Sequence, residues 1–127
     1  MELIAVVASL ALLEYTIFGV LVGLQRTRTG VEAPATTGHP VFERYFRVHM
    51  NTLEALLIFL PALWMFGRYV HAYLGALLGL LFIVGRALYL RGYVADPAKR
   101  RTGALITAAV NAILLIGGLI GALVAWF

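Results

Sequence analysis

Four apolar stretches, each close to the length of a membrane span, divide this chain of 127 residues. They cover residues 3–24, 41–66, 70–93 and 102–127. An α-helix rises about 1.5 Å per residue, so about 20 residues cross the hydrocarbon core of a bilayer. The pattern therefore predicts an all-α integral membrane protein, a four-helix bundle in which residues 1–127 form a single domain.

The composition excludes the main alternatives to a membrane protein. Hydrophobic residues make up 62% of the chain and charged residues 13%, whereas soluble domains are about 45–50% apolar and about 25% charged. A water-soluble globular fold and a disordered chain are both excluded, because neither tolerates so much apolar surface. The absence of cysteine excludes disulfides, thiolate metal sites and a cysteine nucleophile.

The connections between the stretches differ in length. The first stretch is interrupted by Glu14, and we expect it to be a retained helix because it is too long for a signal-peptide core and has no basic segment before it. A polar loop, QRTRTGVEAPATTGHP, follows it. The second and third helices are expected to join tightly around Gly67 and Arg68. Asp96 and Pro97 are typical of a helix N-cap and the first helical residue.

Basic residues cluster on one side of the four spans. The first and third connections, with the adjoining helix ends, hold most of them, whereas the opposite side holds only Arg68. By the positive-inside rule, the side with the first and third connections is expected to be cytoplasmic, in a bacterial inner membrane or the endoplasmic reticulum. Both termini are then expected to lie on the other side. Because these cations follow the membrane boundary, the partner they indicate is the lipid bilayer, and no nucleic acid is expected despite a net charge of +4.

Two helix faces carry polar side chains inside otherwise apolar spans. Arg47, Asn51 and Glu54 follow one another at helical spacing and share a face of the second helix. The third helix repeats the pattern with the set Arg86, Tyr89 and Tyr93.

Both faces lie toward the basic side, where Arg26 ends the first helix and Arg100 opens the fourth. Arginine and tyrosine alone could snorkel to the interface there, but snorkelling does not explain an amide and a carboxylate aligned with Arg47. The pattern favours a site for a small, multiply charged ligand.

Two segments of the sequence resemble the MAPEG family of membrane-associated proteins in eicosanoid and glutathione metabolism. They are FERYFRVHMNTLE at 42–54, preceded by TTGHP, and GRALYLRGYVADPAKRRTG at 85–103. The resemblance is greatest to the type-2 microsomal glutathione transferase and leukotriene C synthase members. It covers nearly the whole chain and agrees with the four-helix plan.

The resemblance implies a homotrimer with glutathione, the co-substrate, bound between neighbouring subunits near the cytoplasmic face. Arg100 aligns with the arginine that stabilises the glutathione thiolate in the family. The activity implied is conjugation of glutathione to hydrophobic electrophiles, with reduction of lipid hydroperoxides as an additional reaction. The implied glutathione-binding residues are Arg26, Arg47, Asn51, Glu54, Arg86, Tyr89 and Tyr93.

Three positions depart from the family pattern. His49 stands where close relatives have glutamine, Ala55 where some have tyrosine or phenylalanine, and Thr27 where leukotriene C synthase has the second arginine of a pair. The last difference favours a broad transferase over synthase-like chemistry on one lipid substrate.

Two other functions remain open at this point. One is a non-catalytic lipid-binding protein on the same scaffold, and the other is a small proton-coupled multidrug transporter that uses Glu14. The simpler interpretation of Glu14 and Asn111 is that they are contacts between helices. His39 and His71 have no metal-ligand spacing, so no metal is expected. The pairs Gly75/Gly79 and Gly117/Gly121 indicate close helix packing.

Overall fold

The computed structural model describes all residues 1–127 and consists of four long helices. They are α1 (Glu2–Thr29), α2 (Pro40–Tyr69), α3 (Ala72–Ala95) and α4 (Arg101–Trp126), with a short 3₁₀ helix, Pro97–Arg100, before α4. All four are long and apolar enough to cross a membrane, counting the 3₁₀ turn with α4. The all-α, four-span architecture expected from the sequence is confirmed.

The helices extend beyond the apolar stretches that predicted them. The first ends at Thr29 rather than at residue 24, because the polar residues after Leu24 continue the helix until Gly30 adopts a left-handed conformation with φ of 76°. Asp96 caps the 3₁₀ helix as expected, its Oδ1 accepting a 3.1 Å hydrogen bond from the Ala98 amide. Arg100 therefore ends the 3₁₀ helix, and α4 begins one residue later.

The predicted junction around Gly67 and Arg68 is wrong. Both residues lie inside α2, and the chain turns at Val70 and His71 instead. His71 caps α3 by accepting a 3.1 Å hydrogen bond at Nδ1 from the Leu74 amide. Gly67 serves packing rather than a turn, because a Cβ there would lie 2.7 Å from Cγ1 of Ile4.

Helices α2 and α3 form the middle of the bundle, with α1 and α4 packed on opposite sides and making almost no contact with each other. Phe59 and Phe82 stack at the centre with ring centroids 3.9 Å apart. Only 28 of 127 residues are buried, and apolar side chains such as Leu57 are 77% exposed. An apolar exterior of this extent fits a lipid environment.

Small residues bring the helices close, as the sequence indicated. A Cβ at Gly75 would lie 3.1 Å from Ile4 of α1, and one at Gly117 would lie 2.7 Å from Phe66 of α2. Asn111 joins α4 to α2 by donating a 3.2 Å hydrogen bond to the Ala55 carbonyl. Its expected role as a contact between helices is confirmed.

Replacing Gly103 by alanine is expected to destabilise the bundle. Gly103 packs against the backbone of α3, and its Cβ would lie 2.6 Å from the Gly85 carbonyl oxygen. Overpacking against a rigid backbone costs about 1–3 kcal/mol of unfolding free energy. Each kcal/mol lowers the unfolding temperature by roughly 4–8 °C in a domain of up to 100 residues, and by somewhat less in a chain of this length. Thermal unfolding in detergent measures this, with Gly23→Ala as the control because nothing lies within 4 Å of a Cβ at Gly23. Equal midpoints for the two variants would contradict the prediction.

Candidate functional site

The outer face of α2 presents two unpaired charges of opposite sign. The side chains of Arg47 and Glu54 are exposed, and Asn51 between them is half-buried. Neither charge forms an ion pair, since the one pair within 4.0 Å joins the amino terminus and Glu2. Seven helical residues separate the two charges by about 10.5 Å along the axis. The face therefore offers a cation, an amide and an anion to a molecule outside this protomer.

Asn51 is connected to α3 and the 3₁₀ helix through two tyrosines. Its Nδ2 donates a 2.7 Å hydrogen bond to the hydroxyl of Tyr89. The rings of Tyr89 and Tyr93 have centroids 5.6 Å apart, and the Arg100 guanidinium lies 5.7 Å from the ring centroid of Tyr93. Arg100 is exposed and donates to the Pro97 carbonyl at 3.0 Å. The structure thus brings these four predicted site residues together.

Arg86 lies behind this group rather than on an exposed face. Its side chain is 3% exposed, and its guanidinium lies 4.1 Å from the ring centroid of Tyr89. It donates to Oγ1 of Thr52 at 3.2 Å from Nε and 3.0 Å from Nη2, and to Oγ1 of Thr107 at 3.3 Å from Nη1. Its hydrogen bonds therefore join α2, α3 and α4 inside the protomer, beneath the exposed part of the site.

The two threonines that bind Arg86 were not among the predicted site residues. Thr107 lies four residues before Asn111 and shares its face of α4, and Thr52 directly follows Asn51. Hydroxyl groups on the inner face of an apolar span are typical partners for a buried polar group. That signal is present in the sequence, but it does not say which polar side chain they bind.

Arg26 contacts the loop that follows α1 and makes no hydrogen bond to the other predicted site residues. It donates a 2.7 Å hydrogen bond to the carbonyl of Ala35 in the loop after α1, and its guanidinium lies 4.6 Å from the ring centroid of Phe42. At the same end of the bundle, Arg44 donates to the Val94 carbonyl at 3.1 Å and ties the start of α2 to the end of α3. These contacts gather the basic ends of the first three helices.

Arg47 and Arg100 open onto separate surface depressions. Arg47 lines one of about 180 Å³ with Thr36 and Thr37, and Arg100 lines one of about 340 Å³ with Ala104. Neither depression contains residues of the other. One protomer therefore does not form a pocket that encloses both cations.

The three positions that depart from the family pattern have different surroundings. His49 packs on α1, with its ring centroid 4.3 Å from that of Tyr15. Ala55 is half-buried and Thr27 is exposed.

Comparison with known proteins gives a consistent result along most of the chain. The model of the MAPEG family matches residues 4–120. An uncharacterized protein of Synechocystis sp. is 40% identical over 119 residues, which are 94% of this chain and 87% of that protein. Human microsomal glutathione S-transferase 2 is 39% identical over 94% of this chain and 81% of its own length. Leukotriene C4 synthase of Bos taurus is 36% identical over 90% of this chain and 75% of its own.

Proposed function

Because the chain belongs to the MAPEG family, we propose that it is a membrane-bound glutathione transferase. It activates the glutathione thiol and conjugates it to hydrophobic electrophiles that arrive from the lipid, and it reduces lipid hydroperoxides as a second activity. The name of the human relative, microsomal glutathione S-transferase 2, supports the reaction class.

The observation that carries the proposal is the pair of exposed, unpaired charges on α2. Glutathione has two carboxylates and one ammonium, so it needs cationic and anionic partners at a distance from each other. Arg47 and Glu54 are separated by about 10.5 Å, and an extended tripeptide spans about 10 Å. Glu54 binds the ammonium and Arg47 binds a carboxylate through charge-assisted hydrogen bonds.

The remaining predicted residues complete this arrangement. Asn51, Tyr89 and Tyr93 supply hydrogen bonds along the tripeptide between the two charges. Arg86 contributes its positive potential from behind the ring of Tyr89. Arg26 closes the site from the loop side.

The incomplete pocket of one protomer supports binding of glutathione between subunits of a homotrimer. Glu54 is exposed beside Leu53 and Leu57, which are 49% and 77% exposed. A charged side chain that faces lipid is unfavourable, and a neighbouring copy removes that contact. The basic helix ends support a location of the site on the cytoplasmic side.

Arg100 is the residue that we assign to catalysis. A guanidinium beside the glutathione sulfur stabilises the thiolate and releases the thiol proton to solvent. The thiolate attacks the electrophilic carbon, a C–S bond forms, and the leaving group departs with the bonding electron pair. In the second activity, two glutathione molecules reduce a hydroperoxide to an alcohol and water and are oxidised to the disulfide.

The test is glutathione titration into the purified wild-type protein in detergent. We expect an ultraviolet thiolate absorbance that saturates with glutathione, together with conjugation of a chloronitrobenzene substrate. S-Methylglutathione, which has no ionisable thiol, is the control and should give no absorbance. A non-catalytic scaffold would give neither signal, and that result would reject the proposal.

A further inference from the structure

A cluster of polar side chains joins α2, α3 and α4 inside the protomer, and the carboxyl group of Glu14 in α1 lies at the same level. The members of the cluster are Thr52 of α2, Arg86 of α3 and Thr107 of α4. The threonine hydroxyls accept three hydrogen bonds from the guanidinium at 3.0–3.3 Å. The cluster lies directly behind Tyr89, over whose ring the guanidinium is stacked.

The positive charge of Arg86 is not balanced by these hydrogen bonds. Arginine remains protonated in proteins, and Arg86 is 3% exposed. Thr52 and Thr107 are neutral, so they satisfy the N–H groups without compensating the charge. A buried charge of this kind is unfavourable unless an opposite charge lies near it.

Glu14 is the acidic residue placed to supply that opposite charge. It is half-buried in the middle of α1. Val7 of α1 packs against Gly79 of α3, and Glu14 and Arg86 each lie seven residues further along, on the same faces of these two helices and at the same level. No N–O distance between them is 4.0 Å or less. Its Oε1 is buried and has no hydrogen-bond partner in the protein. The carboxylate is therefore free to act on the guanidinium through space or through one bridging water.

We propose that Glu14 is a positioning residue for the glutathione site. Its charge holds the Arg86 guanidinium against Tyr89, whose hydroxyl accepts the 2.7 Å hydrogen bond from Asn51. Two side chains, Arg86 and Tyr89, thus connect a carboxylate on α1 to the Asn51 amide on the binding face of α2. The inference rests on the proposed function, because it assigns Glu14 to the site that binds glutathione.

Replacing Glu14 by glutamine is expected to weaken glutathione binding about fivefold, the range typical of a change within a polar network. Turnover at saturating glutathione should stay within about twofold of the wild type, since Arg100 and the thiol are untouched. Isothermal titration calorimetry measures the Kd for glutathione, and steady-state conjugation kinetics measure the turnover. Glu14→Asp, which keeps the charge, should restore binding to within about twofold.

Ser9→Ala is the matched control on the same helix. Ser9 is exposed, and its hydroxyl donates only to the Ala5 carbonyl of its own turn, at 2.8 Å. Its removal should leave the Kd for glutathione unchanged. A change in the Kd of this variant would show that substitutions in α1 affect binding generally.

A double-mutant cycle tests whether Glu14 acts through Arg86. In an Arg86→Met background, Glu14→Gln should change the Kd by less than about 1.5-fold, because the charge that it balances is gone. If Arg86→Met does not fold, Arg86→Lys replaces it, and the full effect of Glu14→Gln should persist there.

The outcomes separate the two proposals. Normal binding by Glu14→Gln, or an equal loss in the Arg86→Met background, overturns the positioning role and leaves the proposed function intact. Absence of glutathione binding by the wild-type protein rejects the proposed function and the positioning role together.

Discussion

Replacing Arg100 by alanine is expected to lower the conjugation rate about tenfold at pH 6, with glutathione affinity changed less than about threefold. A free thiol has a pKa of about 8.5, so about 0.3% of it is thiolate at pH 6. If Arg100 lowers the pKa of the bound thiol to about 6.5, the thiolate fraction becomes about 24%. The more stable thiolate is also a weaker nucleophile by about eightfold. This offsets most of the roughly 75-fold gain in thiolate fraction, so the wild type is left with a net rate advantage of about tenfold at pH 6.

The loss should depend on pH in a defined direction. Removing the cation raises the pKa of the bound thiol, so the variant lacks thiolate most severely at low pH. At pH 9.5 both proteins hold nearly all of the bound glutathione as thiolate. The variant, whose less stabilised thiolate is the stronger nucleophile, should then be about sevenfold faster than the wild type, so the order of the two rates should reverse between pH 6 and pH 9.5. The measurement is kcat for a chloronitrobenzene substrate from pH 6 to pH 9.5, with thiolate absorbance followed in parallel.

Two further variants sharpen this experiment. Arg100→Lys keeps a positive charge and should retain part of the shift in the pH profile. Lys99→Ala removes the adjacent exposed cation and should follow the wild-type profile. A uniform loss at every pH would contradict the role of Arg100 in stabilising the thiolate and would indicate a role in placing the substrate.

The fold could be predicted from the sequence because hydropathy alone defines a span in a bilayer. The helix ends could not, since hydropathy records where lipid ends and not where the backbone stops being helical. The residues after Leu24 show this, because they are polar and still helical as far as Thr29. Gly67 shows the converse, a residue type common in turns that instead permits close contact with Ile4.

The candidate site was predicted as two helix faces, and helical spacing alone could not show how those faces meet. Asn51 and Tyr89 were assigned to different helices, and the structure joins them by a hydrogen bond. Arg86 shares the spacing of Tyr89 and Tyr93, yet it turns inward because Thr52 and Thr107 on other helices accept its hydrogen bonds. The relative rotation of helices depends on packing between them, which the spacing within one helix does not contain.

The exposed charges of α2 indicate a binding face because they lie in a membrane span. In a soluble protein, Arg47 and Glu54 would be ordinary solvated side chains, because exposed ions are stable in water. Here Leu53 and Leu57 beside Glu54 are also exposed, so the same carboxylate would face lipid in an isolated protomer. A bound ligand and a second copy of the chain, as proposed above, would each relieve this unfavourable contact with lipid.

Replacing Glu54 by glutamine is expected to raise the Kd for glutathione about tenfold or more. A hydrogen bond between charged groups contributes about 1.5–3 kcal/mol, and about 1.4 kcal/mol corresponds to tenfold in affinity. Arg47→Ala should weaken binding by a similar factor because it removes the partner of a carboxylate. Arg68→Ala is the control, since Arg68 is an exposed cation in the last turn of the same helix, and it should bind as the wild type does.

A glutathione analogue that lacks the ammonium group identifies the partner of Glu54. The wild-type protein should bind this analogue about tenfold more weakly than glutathione, whereas Glu54→Gln should bind the two within about twofold of each other, because the interaction is already absent. Arg47→Ala should still discriminate between them, since its proposed partner is a carboxylate. If Glu54→Gln retains the full discrimination, the ammonium binds elsewhere and the proposed placement of the tripeptide along α2 is wrong.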